Sequence, residues 1–174
     1  MSESLNVRFN SQFTANLTNT LALEQVTANP SLSIASVLTN GTGVNQADQI
    51  FADQRTLNPS TNENINVATF SGSLDAVGGT LSLARIKMLL VQNLNGTEAN
   101  NLTIGGAGAG AWTPLTNGSS SLKVSIPGGG SFEVIAPGAT GWAVGSSSGS
   151  LLNVANVSST GTTQYNLIVV GASG

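Results

Sequence analysis

Short runs that alternate apolar and polar residues, cut by glycine, proline and asparagine, limit this chain's choice of fold more than anything else in it. Residues 121–137, SLKVSIPGGGSFEVIAP, show the pattern. Leu122, Val124 and Ile126 share one side of an extended backbone, while Lys123 and Ser125 share the other. After Pro127-Gly128-Gly129-Gly130 the alternation resumes at Phe132 and Val134. A period of two is the period of a half-buried strand, and glycine supplies the positive φ of a tight turn, so the stretch predicts a β-hairpin.

The same punctuation repeats along the chain. SLSIASVL (31–38), DQIFADQRTL (48–57), INVATFSG (65–72), NLTIGG (101–106), GWAVGSS (141–147), LLNVANVSS (151–159) and TTQYNLIVVGAS (162–173) are separated by turn clusters. The longest apolar run, LSLARIKMLLVQNL (81–94), would suit a helix by propensity. The flanking VGGT and NLNG are strand boundaries, so it is read as a strand. That strand places Ala84, Ile86, Met88 and Leu90 on one face and Arg85, Lys87, Leu89 and Val91 on the other. The strand Tyr165 to Val170 is apolar on both faces, which predicts a central place in a sheet. Roughly eight to ten short strands at this spacing predict an all-β fold, an antiparallel β-sandwich of jelly-roll type. Residues 1–30 are more polar, carry one weak helix-like patch at Leu21 to Val26 and stop at Pro30. They are expected to be an extended N-terminal arm or a first strand, with residues 31–174 as the sandwich domain.

Composition excludes much chemistry. The 174 residues include no cysteine and no histidine, so disulfides, thiolate sites, imidazole bases and a Ser-His-Asp triad are out of reach. A Ser-Lys dyad through Lys87 or Lys123 is the remaining nucleophile arrangement. Asp48 and Asp53 lack the spacing of a calcium loop, and no carboxylate pair stands out as a glycosidase couple. GGAGAG (105–110) lacks the lysine and helix of a phosphate loop. Charged residues are 7% of the chain and the net charge is −3, unlike a phosphate-neutralising nucleic-acid binder. KMLLVQNL (87–94) is far shorter than the ~20 residues of a membrane helix. MSESLNVRFNSQ shows neither the basic nor the apolar segment of a secretory signal. The Asn-x-Ser/Thr triplets at Asn16, Asn95 and Asn101 are expected by chance in so amide-rich a chain. No enzyme, metal or cofactor is therefore expected. A foldable chain this poor in charge is expected to associate. Trp112, Trp142, Arg85 and Lys87 are the candidate interface residues. The tryptophans suit core packing or a subunit contact, and the cations suit an exposed face.

Three stretches resemble small structural proteins of tailed bacteriophages. LDAVGGTLSLARIKMLLVQN (74–93) is similar to their D-x-x-G-x-T-x-x-x-A-x-I-K strand. IPGGGSFEVIAPGATGWAV (126–144) is similar to their Pro-Gly-Gly turn and following Gly-aromatic-Ala-Val, and LLNVANVSSTGTTQYNLIVVGAS (151–173) to their closing strands. The chain departs from that pattern at Leu83, usually aromatic, and at Trp142, often tyrosine. The resemblance spans roughly residues 48–173 and carries no catalytic residues. It implies a capsid decoration or cement protein that binds the major capsid protein on the capsid exterior of the virion, after synthesis in the host cytoplasm. A homo-oligomer, a trimer before other states, is expected, with no nucleic-acid or membrane partner. Contacts are expected from residues 1–30, the 105–111 loop and the face of Arg85 and Lys87. The rival reading is a tail-associated or fibre module that binds carbohydrate or a receptor.

Overall fold

Backbone amides in alternating runs have no partners within their own strand, so each run must find another. The computed structural model describes residues 4–20, 25–70, 81–97, 99–145 and 149–174. Its strands are β1 (Val7–Thr14), β2 (Leu17–Thr20), β3 (Gln25–Ala28), β4 (Ser31–Asn40), β5 (Gln46–Ala47), β6 (Gln49–Leu57), β7 (Asn62–Asn66) and β8 (Thr69–Phe70). There follow β9 (Leu81–Ser82), β10 (Arg85–Asn93), β11 (Leu102–Ile104), β12 (Val124–Ile126), β13 (Ser131–Ile135), β14 (Trp142–Ala143), β15 (Leu151–Asn156) and β16 (Thr163–Ala172). A single 3-10 turn, Pro114–Thr116, is the only helical element among the described residues. The long apolar run is strand, as its boundaries predicted.

Two antiparallel sheets form the sandwich. One has the order β13-β10-β16-β6, with β14 also on β10, and the other β12-β11-β15-β7. Taken in chain order, the eight main strands pair first with eighth (β6 with β16), second with seventh (β7 with β15), third with sixth (β10 with β13) and fourth with fifth (β11 with β12), all antiparallel. One long hairpin wound into two sheets has this nesting. Phe51, Leu89, Tyr165 and Leu167 of the first sheet meet Ile65, Leu102, Ile104 and Val154 of the second in one buried core. Each fully buried aliphatic contributes about 1.5–3 kcal/mol through lost apolar exposure. β16 sits between β10 and β6, the central place its two apolar faces predicted.

The faces of β10 differ from the expected ones. Ile86 pairs with Gly171 of β16, yet Met88 pairs with Val170, so Lys87 is the extra residue of a β-bulge. The extra residue inverts the alternation. Ile86 faces the core before the bulge, and Leu89 and Val91 face it afterwards. Met88 and Leu90 turn to the outer face instead, where they join a second apolar cluster with Leu38, Ala47 and Val170.

That cluster seats the arm. β1 pairs with β4 from Val7↔Leu38 to Thr14↔Ser31, and β2 with β3 from Leu17↔Ala28 to Thr20↔Gln25. Ala15 N–H donates to Pro30 C=O between the two ladders, so a single register runs through. The arm is therefore a two-stranded ribbon, roughly 45 Å long at about 3.4 Å per residue. It takes in residues 31–40, beyond the expected boundary at residue 30. Residues 21–24 of the helix-like patch lie outside the described residues, and its Gln25 and Val26 belong to β3. Leu5, Val7 and Phe9 pack at the ribbon's base against the outer face of the first sheet.

The expected hairpin around Pro127–Gly130 is a crossover. β12 pairs with β11 in one sheet and β13 with β10 in the other. Gly130 N–H donates to Pro127 C=O at 2.9 Å, and Gly129 has φ +75°, so the tight turn is there. It carries the chain around a corner between sheets. Glycine and proline serve both purposes, and alternation says which face of a run is buried but not which strand lies beside it.

Candidate functional site

β10 and the segment after β13 build the most elaborate polar site. Ala136 N–H donates to Lys87 C=O at 2.7 Å, and Val144 N–H to Ala84 C=O at 2.9 Å, which lays residues 136–144 along β10. Trp142 pairs with Ile86 and Ala143 with Arg85. Lys87 occupies the bulge, and its side chain is 0% exposed. Its ammonium donates to the carbonyls of Gly43 (3.2 Å), Ala139 (3.0 Å) and Gly138, so all three donors are used. Burial, and then the charge of Arg85, lower its pKa from the ordinary lysine value. The three carbonyls hold the charged form against that tendency. The Arg85 guanidinium donates to Ala139 C=O at 2.6 Å. Gly141 has φ +49°, and a Cβ there would lie 2.6 Å from Ile86 C=O. Cation, glycine and bulge thus interlock.

The sequence reading placed Arg85 and Lys87 on an exposed face. Lys87 is instead an internal strut, and Arg85 is half-buried and bonded to the same loop. The error follows from the bulge, which a period of two cannot reveal. The structure does bring together Arg85–Asn93 and residues 136–144, two segments singled out separately in the sequence. Residues 71–80, including the start of the leading motif with Asp75, lie outside the described residues.

Trp112 and Trp142 meet edge to face, with ring centroids 6.3 Å apart and planes at 85°. Trp112 is 3% exposed and its Nε1–H donates to Ala143 C=O at 3.0 Å. It is a core residue, and Trp142 packs against the same core. The pair offers no flat aromatic platform of the kind sugar rings stack upon.

A polar tie that the sequence reading missed closes the edge where β6 and β7 lie. Tyr165 Oη–H donates to Glu63 Oε1 at 2.5 Å. Glu63 also receives Arg55 Nη1, and Arg55 Nε donates to Asp53 Oδ2 at 3.0 Å. Burial disfavours the Arg55 charge, but the bond to Asp53 and the charge of Glu63 outweigh it and raise its pKa. Burial, then the bond to Glu63, raises the Tyr165 pKa far above the ordinary phenol value. A lone tyrosine in an apolar strand is the signal that could have prompted a search for its partner.

The other candidates for chemistry are similarly engaged or apart. Asp48 accepts bonds from the Ser173 amide (2.9 Å) and hydroxyl. Ser120 and Lys123 stand at the Ser-x-x-Lys spacing, both exposed on the approach to β12. Among the described residues no group of three or more carboxylates is placed to hold a metal ion. No described helix is long and apolar enough to cross a membrane.

One exposed face of the ribbon is apolar and neutral. Opposite residues of the ribbon share a face, so Phe9, Phe13 and Leu17 align with Leu32, Ile34 and Leu38. Only the base of that stripe is covered: Phe13 is 58% exposed, Leu17 68%, Leu32 59% and Ile34 48%. The opposite face carries Arg8, Asn10, Gln12, Asn16 and Ser33. No family model, curated protein or solved structure matches this chain.

Proposed function

We propose that this chain is a decoration or cement protein of a tailed-phage capsid, which binds the outer shell and braces it by protein–protein contact. Its partner on this reading is the major capsid protein, and it works by binding, with no catalytic step. The observation that carries the binding reading is how the reactive groups are used. Lys87, Arg85, Arg55, Glu63, Asp48 and Tyr165 are bonded within the chain, while exposed Phe13, Leu17, Leu32 and Ile34 leave an apolar surface. Such surface binds through area, about 25 cal/mol per Å² of apolar burial before the costs of association. The virion assignment comes from the resemblance of residues 74–93, 126–144 and 151–173 to phage structural proteins.

The sandwich suits a brace. Its two sheets are joined by the Tyr165–Glu63 bond, and the 136–144 segment is fastened by Lys87. The fibre reading needs an exposed aromatic site, and the Trp112–Trp142 contact turns both indoles to packing.

The test is to add purified chain to mature heads of the source virus and image them. Density at symmetric positions on the outer shell, with heads better able to hold DNA on heating, is the expected result. Density confined to the tail favours the fibre reading. Absence of binding to any particle overturns both.

A further inference from the structure

The outer face of the first sheet is ordered in rows across its strands. Ile50, Val170, Met88 and Ile135 are cross-strand neighbours and form the row on which the ribbon's own base rests. The next row is Ala52, Ile168 and Leu90, and beyond it Gln54, Asn166 and Gln92. The last three are linked through their amides, Gln54 Nε2 to Asn166 Oδ1 at 3.2 Å and Asn166 Nδ2 to Gln92 Oε1 at 3.0 Å. These two rows line an open, mostly apolar groove that adjoins the covered row.

We infer that the outer half of the ribbon of one copy lies in this groove on a second copy of the same chain. The ribbon's inner half already packs on the first row of this sheet face, so the two surfaces suit each other in chemistry. Its outer half repeats the same apolar stripe through Phe13, Leu32 and Ile34 but stands clear of its own body. The groove continues the same face with aliphatic side chains and an amide rim, and its one flanking carboxylate without an ion pair among the described residues, exposed Glu133, stands beyond Leu90 at the β13 end. Asp53, on the groove wall, is bonded to Arg55. A stable interface buries about 800 Å² per partner. A ring in which every copy gives a ribbon and receives one doubles the contact per copy, so a closed head-to-tail ring is the form this contact takes. The inference stands apart from shell binding, since either can fail while the other holds.

The native chain has no cysteine, which makes the test direct. A Leu32→Cys chain and a differently tagged Gln92→Cys chain, both positions exposed, are mixed and mildly oxidised. Light scattering follows the mass of wild type and of a Leu32→Asp/Ile34→Asp variant at tens of micromolar, roughly the range of weak protein contacts. Circular dichroism checks that the variant keeps its strands. The expected result is a wild-type ring, a variant of monomer mass, and a mixed disulfide between the two tags. A monomeric wild type, an unchanged mass in the folded variant, or failure to cross-link would each overturn the inference. If the variant loses its strands, the cross-link alone decides.

Discussion

The Tyr165 phenol donates to Glu63 Oε1 at 2.5 Å, and that bond joins a central strand of one sheet to an edge strand of the other. Tyr165 is 0% exposed and Glu63 is half-buried, with Arg55 on its second oxygen. The carboxylate therefore has a partner on each side, and both partners come from the facing sheet.

The phenol should resist titration in the folded chain. Its ordinary pKa is 10.0, and burial, then the bond to Glu63, raises it. The unfolded chain releases this proton near pH 10 while the folded chain keeps it. Above pH 10 the unfolded state thus binds fewer protons, and stability falls as pH rises. Below pH 10 the contribution is fully present. Tyr165 is the only tyrosine, so tyrosinate absorbance reports it alone. That absorbance is expected to appear together with unfolding and not before it. In Tyr165→Phe the extra loss of stability above pH 10 should vanish, and stability at neutral pH should fall by about 2 kcal/mol, the scale of a hydrogen bond to a charged group.

Lys87→Met keeps most of the length of the side chain and removes its ammonium with all three hydrogen bonds. It relieves the cost of a buried charge but leaves the Gly43, Gly138 and Ala139 carbonyls without their donor. The net expectation is a loss of about 2–3 kcal/mol, read by urea denaturation. Hydrogen exchange should quicken first at Ala136, whose amide donates to Lys87 C=O, and at Gly141, whose amide donates to Gly138 C=O. Equal protection in the variant would refute the fastening role.

Gly141→Ala combines a left-handed φ of +49° with a Cβ 2.6 Å from Ile86 C=O. The side chain cannot be accommodated without moving residues 136–144 away from β10. A loss of about 2–4 kcal/mol is expected, a melting shift of roughly 5–15 °C for a chain of this size. Gly138→Ala is the control, since its added Cβ would meet nothing within 4 Å.

The two tryptophans should behave differently in emission. Trp112, 3% exposed, should emit in the blue and resist iodide, while half-buried Trp142 is quenched in part. Trp112→Phe removes the edge-to-face contact and the bond to Ala143 C=O, and should cost about 1–3 kcal/mol. Complete quenching of the wild type by iodide would contradict the packing of this pair.

Much of the fold was legible because a strand's signature is local. Turn residues marked the ends of β6, β10, β15 and β16, and the two apolar faces of Tyr165–Val170 placed β16 inside a sheet. The absence of cysteine and histidine and the scarcity of charge narrowed the chemistry before any coordinate was known. The partners of those strands were not written in any short stretch. Tyr165 finds Glu63 at a separation of 102 residues, and β13 leaves its sequence neighbour β12 for β10. Such choices depend on which apolar faces close a common core, and that is a property of the whole chain. The bulge at Lys87 shows the same limit at one residue. Only pairing with β16 leaves it without a cross-strand partner, and that single offset turned an expected surface cation into a buried strut.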